Sequence, residues 1–286
     1  MGSVYNDIVN TLNKYLRRIK RDSLKQWGFL TAQWRTLPNF IILGAHKAGT
    51  SSLWYYLKQH LQVRTGIRKE IHFYDFNYHK GLDWYRAHFP FHFLLKEDVR
   101  VGEASPYYLF YPYTASRIAE TLPNPKLVIL LRNPSQRAVS HYFHSRRKGK
   151  EPFPLKEALL KEEERLTSEN KKIFADPTYR SYEHRVFSYK QRGLYLQQIK
   201  RYYRYFDPEQ LLILSSEEFF ESPERIVERT FQFLGLNPEV ERIHWEVRNL
   251  GKDKEQPPRD VLAYLDDYFA GPNQQLYDFL GKDFGW

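Results

Sequence analysis

Phe40-Ile41-Ile42-Leu43-Gly44-Ala45-His46-Lys47-Ala48-Gly49-Thr50-Ser51-Ser52 is the stretch that decides how the chain is read. Its first four residues form a short apolar run, opened by Pro38 and stopped by Gly44, which is the pattern of a buried strand. Leu53, Leu57 and Leu61 then recur at helical spacing. Strand, glycine turn and helix in that order present backbone N–H groups and a helix N-terminus to a phosphate. Gly44 and Gly49 have the separation of the glycines in G-x-x-x-x-G-K-[ST]. The lysine, however, is Lys47, ahead of the second glycine, and Thr50 follows that glycine.

The displaced lysine changes the chemistry. A lysine after the second glycine reaches β- and γ-phosphates beside a hydroxyl that holds Mg²⁺. One on the crown of the loop instead reaches the bridging region of a single 5′-phosphate and its leaving bond. A kinase or NTPase is disfavoured, because neither its lysine nor a Walker-B aspartate at a strand end is evident. An ordinary strand–helix turn with an exposed lysine is the plain alternative.

The same alternation recurs downstream. Residues 99–102 and 127–131 read as strands, the second followed by a helical stretch over 135–143. Residues 211–214 read as another, followed by a helix from near Pro223 to before Gly235. The expected fold is α/β, a single domain over 37–286 with a mostly parallel, doubly wound sheet flanked by helices and a P-loop-like phosphate loop. Residues 145–190 are charge-rich, with 161–165 inside a surface helix. Two short helices are expected in the tail, one after Pro257-Pro258 and one after Gly271-Pro272. Residues 1–36 form a basic N-terminal extension. Within it, Val4, Ile8, Leu12, Leu16 and Ile19 mark an amphipathic helix over 4–26, crowded by Lys14, Arg17, Arg18, Lys20, Arg21 and Lys25. Peripheral membrane contact through that helix is one expectation, packing on the domain the other.

The chain has 286 residues with 44 Lys plus Arg against 34 Asp plus Glu, and the net charge of +10 favours polyanionic partners. It contains no cysteine, which excludes disulfides, thiolate metal sites and cysteine nucleophiles. No apolar run reaches the roughly 20 residues that span a bilayer. A soluble cytoplasmic protein is expected, with a Golgi lumenal domain cut from its membrane anchor as the alternative. The oligomeric state is not legible.

At this point a family resemblance is plain. Residues 40–52 resemble the 5′-phosphosulfate loop of sulfotransferases that use 3′-phosphoadenosine 5′-phosphosulfate (PAPS), most of all the heparan sulfate and related carbohydrate branch. The similarity continues through Lys69-Glu70-Ile71-His72-Phe73-Tyr74-Asp75, Gly81-Leu82-Asp83-Trp84-Tyr85, Glu103-Ala104-Ser105-Pro106-Tyr107, Leu130-Leu131-Arg132-Asn133-Pro134 and the terminal Gly281-Lys282-Asp283-Phe284-Gly285-Trp286. It implies that Lys47 contacts the phosphate and stabilises the leaving group, with Ala48, Gly49, Thr50, Ser51 and Ser52 completing the 5′-phosphate site. It implies that Arg132 and Ser140 clamp the 3′-phosphate, by a guanidinium fork and a hydroxyl. PAPS is then the cofactor and 3′-phosphoadenosine 5′-phosphate (PAP) the product, with no metal required.

An attacking hydroxyl must lose its proton, so a carboxylate or imidazole should face the leaving phosphate. Glu70, His72 and Asp75 are the candidates, and an extended backbone would point Glu70 and His72 to one face. The resemblance makes Glu70 the general base, with His72 and Asp75 orienting the acceptor or tuning the base. Glu103 is read as holding the loop lysine or the acceptor, or as structural. Tyr195 is read first as core packing, with an approach to adenine or the acceptor, as part of the cofactor site, the other reading.

Two departures bear on the acceptor. The family's glycan enzymes commonly have lysine after the strand-end glutamate, where this chain has Ala104. Their cysteine-bridged nucleotide clamp has no counterpart beyond Arg248 and Lys252 in a stretch without cysteine. The expected acceptor is a hydroxyl, first of a carbohydrate, with Arg146, Arg147, Lys148 and Lys150 as a basic rim. A β-hydroxyacyl chain on an acidic carrier protein is the alternative, and a non-catalytic basic glycan-binding protein the alternative from another class. Nucleic acid is not an expected partner.

Overall fold

The computed structural model describes residues 27–238, 240–246 and 256–286. The helix expected over 4–26 and the segment holding Arg248 and Lys252 lie outside the described residues. Five strands, β1 (Phe40–Gly44), β2 (Val63–Thr65), β3 (Arg100–Ala104), β4 (Lys126–Leu131) and β5 (Leu211–Ser215), pair in the order β2-β3-β1-β4-β5. Every pairing is parallel. Four strands fall where the apolar runs predict them. The fifth, β2, is three residues of Val-Arg-Thr at the sheet edge with only Val63 buried, so no apolar run marks it.

Parallel strands need crossovers, and the intervening segments supply helices. Among those between and after the strands are α1 (Thr50–Leu57), α2 (Pro134–Arg147), α3 (Glu162–Ala175) and α4 (Tyr195–Tyr203), with α5 (Pro223–Phe233) and α6 (Arg259–Leu280) following β5. α1 packs with α5, while α6 packs with both α2 and α4. Residues 40–43 and 127–131 are all completely buried, as expected of central strands covered on both faces. From β1 the chain departs toward the β2 edge, and from β4 toward β5. The loops beyond β1 and β4 therefore diverge, which is where ligands settle in open parallel sheets.

Two local expectations need correction. The tail is one helix, α6, with Pro272 inside it, rather than two short ones. Val261, Leu265, Phe269, Asn273 and Leu276 bury one continuous face, and that packing overrides the break that Gly271-Pro272 signals. Glu162, taken for a surface residue, is fully buried and accepts the backbone N–H groups of Lys190 (2.6 Å) and Gln191 (2.8 Å).

Candidate active site

The loop after β1 is anchored at its crown by the end of β4. Arg132 Nη1 donates to the Lys47 carbonyl at 3.1 Å, and Ala45 N–H to the Leu130 carbonyl at 2.7 Å. Gly49 caps α1 with φ of 94°, and a Cβ there would lie 2.9 Å from the Phe220 ring, so only glycine fits. No side chain caps α1, although the Ser52 N–H of its first turn donates to the Gly49 carbonyl at 2.9 Å. Of the expected phosphate-site residues, Ala48, Thr50 and Ser52 are buried, whereas Lys47, Gly49 and Ser51 are partly exposed.

The segment carrying Glu70 is not extended. Glu70 and His72 both have left-handed backbones, with φ of 60° and 57°, and one wide π-helical turn, Phe73–Asn77, follows. The two side chains meet nonetheless, His72 Nε2 lying 3.7 Å from Glu70 Oε2. His72 Nδ1 pairs with the buried Asp75 Oδ2 at 2.6 Å. Only four described non-glycine residues have positive φ, and Lys47, Glu70 and His72 are three of them. Such conformations persist only where the surroundings over-determine them, and they cluster at functional sites.

Glu103 supplies much of that determination. Buried at the end of β3, it accepts hydroxyl hydrogen bonds from Tyr85, from Ser105 (2.8 Å) and from Tyr108 (2.8 Å). Ser105 Oγ in turn accepts the His72 N–H at 3.3 Å, and Tyr108 Oη accepts the Phe73 N–H at 2.7 Å. Its part is thus to hold the turn that carries Glu70 and His72. Arg117, which sequence reasoning missed, grips the same turn by donating to the carbonyls of Tyr74 (2.8 Å) and Asp75 (3.1 Å). Glu103→Ala would strand three buried hydroxyls at about 1–3 kcal/mol each before relaxation. We expect a loss of about 3 kcal/mol of stability, read as a lower midpoint in urea unfolding.

Tyr195 is fully buried, and its hydroxyl donates to the Arg132 carbonyl at 2.8 Å, so it braces the strand end from within the core. Ser140 lies half-buried midway along α2. Arg146 donates to the carbonyls of Glu151 and Pro152, a structural commitment. Arg147 and Lys148 stand close enough to act on Lys47, and Lys150 acts likewise on Arg185.

Charge follows from these positions. Burial, then Arg147, Arg132 and Lys148, push the Lys47 ammonium down to about 8. Contact with His72 leads the influences that lower the Glu70 pKa, with burial opposing and Lys69 assisting. Burial works against the charged form of His72, yet Asp75 and Glu70 outweigh it and hold the ring up at about 9. His72 is therefore an imidazolium at neutral pH. Because its folded pKa lies above the ordinary 6.5, its contribution to stability is complete below 6.5 and is lost as pH rises through about 9. Between those values, denaturation midpoints of the parent should fall more steeply than those of His72→Gln.

A cleft of about 320 Å³ opens beside this turn, lined by Arg68, Glu70, His72, Phe76, Asn77, Arg180, Ser181, Tyr182 and Arg185. Glu70 is its only carboxylate, against three arginines. The 180–185 contribution was missed, its one sequence signal being the basic, aromatic run inside a charge-rich stretch. A larger cavity of about 550 Å³, lined by Phe110, Glu162, Lys190, Gln198 and Arg201 among others, contains none of the expected site residues. No group of three or more His, Cys, Asp or Glu suited to a metal occurs among the described residues.

Residues 37–267 match the family of the sulfotransferase domain. A crystal structure of a sulfotransferase from Alicyclobacillus acidocaldarius is 31% identical with a TM-score of 0.69, covering 87% of this chain and 97% of that one. The membrane-associated sulfotransferase kil1 of Dictyostelium discoideum is 28% identical over 96% of this chain and 72% of its own length. Mouse heparan sulfate glucosamine 3-O-sulfotransferase 3B1 is 30% identical over 88% of this chain and 65% of its own. The chain thus spans about two thirds of these two relatives. It belongs to the sulfotransferase domain family, as a PAPS-dependent sulfotransferase catalytic domain.

Proposed function

We propose that the chain moves the sulfuryl group of PAPS to a hydroxyl of an anionic acceptor seated in the cleft beside Glu70. The sulfur–oxygen bond to the 5′-phosphate breaks as the bond to the acceptor oxygen forms, in line. Glu70 takes the hydroxyl proton, and PAP leaves with its phosphate supported by Lys47. The loop residues 48–52 hold the 5′-phosphate, Arg132 and Ser140 the 3′-phosphate, and His72 with Asp75 orients the base. Positioning and preorganised charge supply the rate, and no metal takes part.

One observation carries this reading: left-handed backbones concentrate at Lys47, Glu70 and His72, on the phosphate loop and beside an arginine-lined cleft. Charge in that cleft favours an acceptor bearing carboxylate, sulfate or phosphate groups, such as an acidic carbohydrate. A second reading rests on Ala104, a buried methyl at the end of β3 where the glycan enzymes place lysine. It favours a β-hydroxyacyl group delivered by an acidic carrier protein.

Calorimetry with PAP, followed by transfer of radiolabelled sulfate from PAPS to acidic glycans, neutral phenols and hydroxyacyl carrier protein, tests both. We expect micromolar or tighter PAP binding, label on an acidic acceptor and the same rate with EDTA. Label confined to neutral phenols would remove the anionic acceptor, and loss of the rate in EDTA would remove metal independence.

Membrane contact through residues 4–26 belongs to the same proposal. Trp27, Phe29 and Leu30, which follow directly, are exposed by 57%, 56% and 73%. Aromatic and aliphatic exposure beside a basic run suits an anionic bilayer surface. Sedimentation with phosphatidylserine vesicles, weakening as salt rises, is the expected result. A chain left wholly in the supernatant would oppose it.

A further inference from the structure

Lys69 stands between the two halves of the site. Its Nζ donates to Ser51 Oγ at 2.7 Å and lies 3.7 Å from Glu70 Oε1. The first contact belongs to the opening turn of α1 and the second to the base turn, so one ammonium touches both. A hydroxyl that accepts from an ammonium keeps its single O–H free to donate elsewhere. Ser51 is, moreover, the partly exposed hydroxyl of that opening turn. The 3.7 Å separation is an ion-pair distance, longer than an ordinary hydrogen bond. Lys69 therefore holds Glu70 chiefly by charge, with hydrogen bonding the smaller part, and leaves the carboxylate oxygens able to accept a proton.

The Lys69 side chain is 21% exposed and that of Glu70 47%, so water screens this contact mainly from the Glu70 side. Burial disfavours its charged form, and Glu70 is what opposes that effect. Removing either partner thus unbalances the other.

We infer that Lys69 is a positioning residue that couples the donor to the base, reading the loop through Ser51 and setting Glu70 through charge. The inference rests on the loop as donor site and on Glu70 as base. A 5′-phosphate arriving at Ser51 engages that hydroxyl and draws the ammonium toward itself. Glu70 then loses part of its counter-charge and becomes the stronger base with the donor in place. By linkage, whatever the donor does to Glu70, Glu70 does to the donor.

The test uses PAP as probe. The Glu70 carboxyl carbon, assigned by its loss in Glu70→Gln, is titrated by NMR with and without PAP, and PAP affinity is measured by calorimetry. In the parent, PAP should raise the Glu70 midpoint. Lys69→Met should raise the PAP-free midpoint by about one pH unit. It should also weaken PAP by roughly five- to tenfold, while Lys69→Arg keeps both near the parent. A folded Lys69→Met with either quantity unchanged overturns the inference.

Should Lys69→Met fail to fold, Ser51→Ala decides. It is expected to blunt the PAP-induced rise at Glu70, and a rise of parental size overturns the coupling. A parent that binds no PAP, or a Glu70→Gln that transfers sulfate at the parental rate, removes the underlying reading together with the inference. An inert Glu70→Gln beside an unaltered Lys69→Met removes the inference alone.

Discussion

Lys47→Met is expected to slow sulfuryl transfer by about a hundred- to a thousandfold, the usual effect of removing one preorganised group facing developing negative charge. The loop itself should survive, because its crown is tied through the Lys47 backbone carbonyl rather than the side chain. Loss of catalysis should therefore exceed any loss of stability. The pH profile gives a second readout. With its pKa near 8, the donor-free ammonium is charged below that value and neutral above it. PAP affinity should decline as pH rises through about 8 in the parent, and Lys47→Met should lack that limb. Replacing Arg147 and Lys148 by alanine removes two of the charges that depress Lys47, and the limb should move upward. An alkaline limb that persists in Lys47→Met would assign it to another group.

Glu70→Gln is expected to lower turnover by about a hundred- to ten-thousandfold, the range for a lost general base. Its side chain is 47% exposed and its backbone is held through the N–H donated to the Ala104 carbonyl, so the fold should be spared. PAP affinity should hold or rise, since a negative charge near the donor is removed. The lowered Glu70 pKa has a cost and a use. A carboxylate held ionised is a weak base, yet at neutral pH it is always ready to accept. The neighbouring imidazolium and ammonium favour that availability over intrinsic strength. Turnover within twofold of the parent would exclude Glu70 as the base.

Much of the sheet was legible because β1, β3 and β4 inside it and β5 at its far edge are each largely buried, and a parallel strand covered on both faces has little choice but to be mostly apolar. β2 escaped because an edge strand of Val63-Arg64-Thr65 needs only one buried residue. Lys47, Glu70, His72 and Asp75 were legible as candidates from residue type and spacing, but their backbones were not. The turn in which Glu70 and His72 take left-handed φ values is held by Ser105, Tyr108 and Arg117, with Glu103 behind the first two, and their distance along the chain hides the contact. Tyr195 shows the reverse problem. An aromatic near the site invites a ligand role, while burial commits its hydroxyl to the Arg132 carbonyl. Arg180 and Arg185 could not be placed, because nothing local in a charged stretch says which cavity it will border.

The hydroxyl cluster around Glu103 has a bearing on how such a domain diversifies. It clamps the turn that presents Glu70 from the strand side, while Arg180, Tyr182 and Arg185 reach the cleft from a separate surface segment. On the proposed reading, substitutions in that segment would retune what is sulfated without disturbing Glu70. New substrates would then be open to the lineage by drift at the rim, while the buried hydroxyl cluster keeps the turn in place.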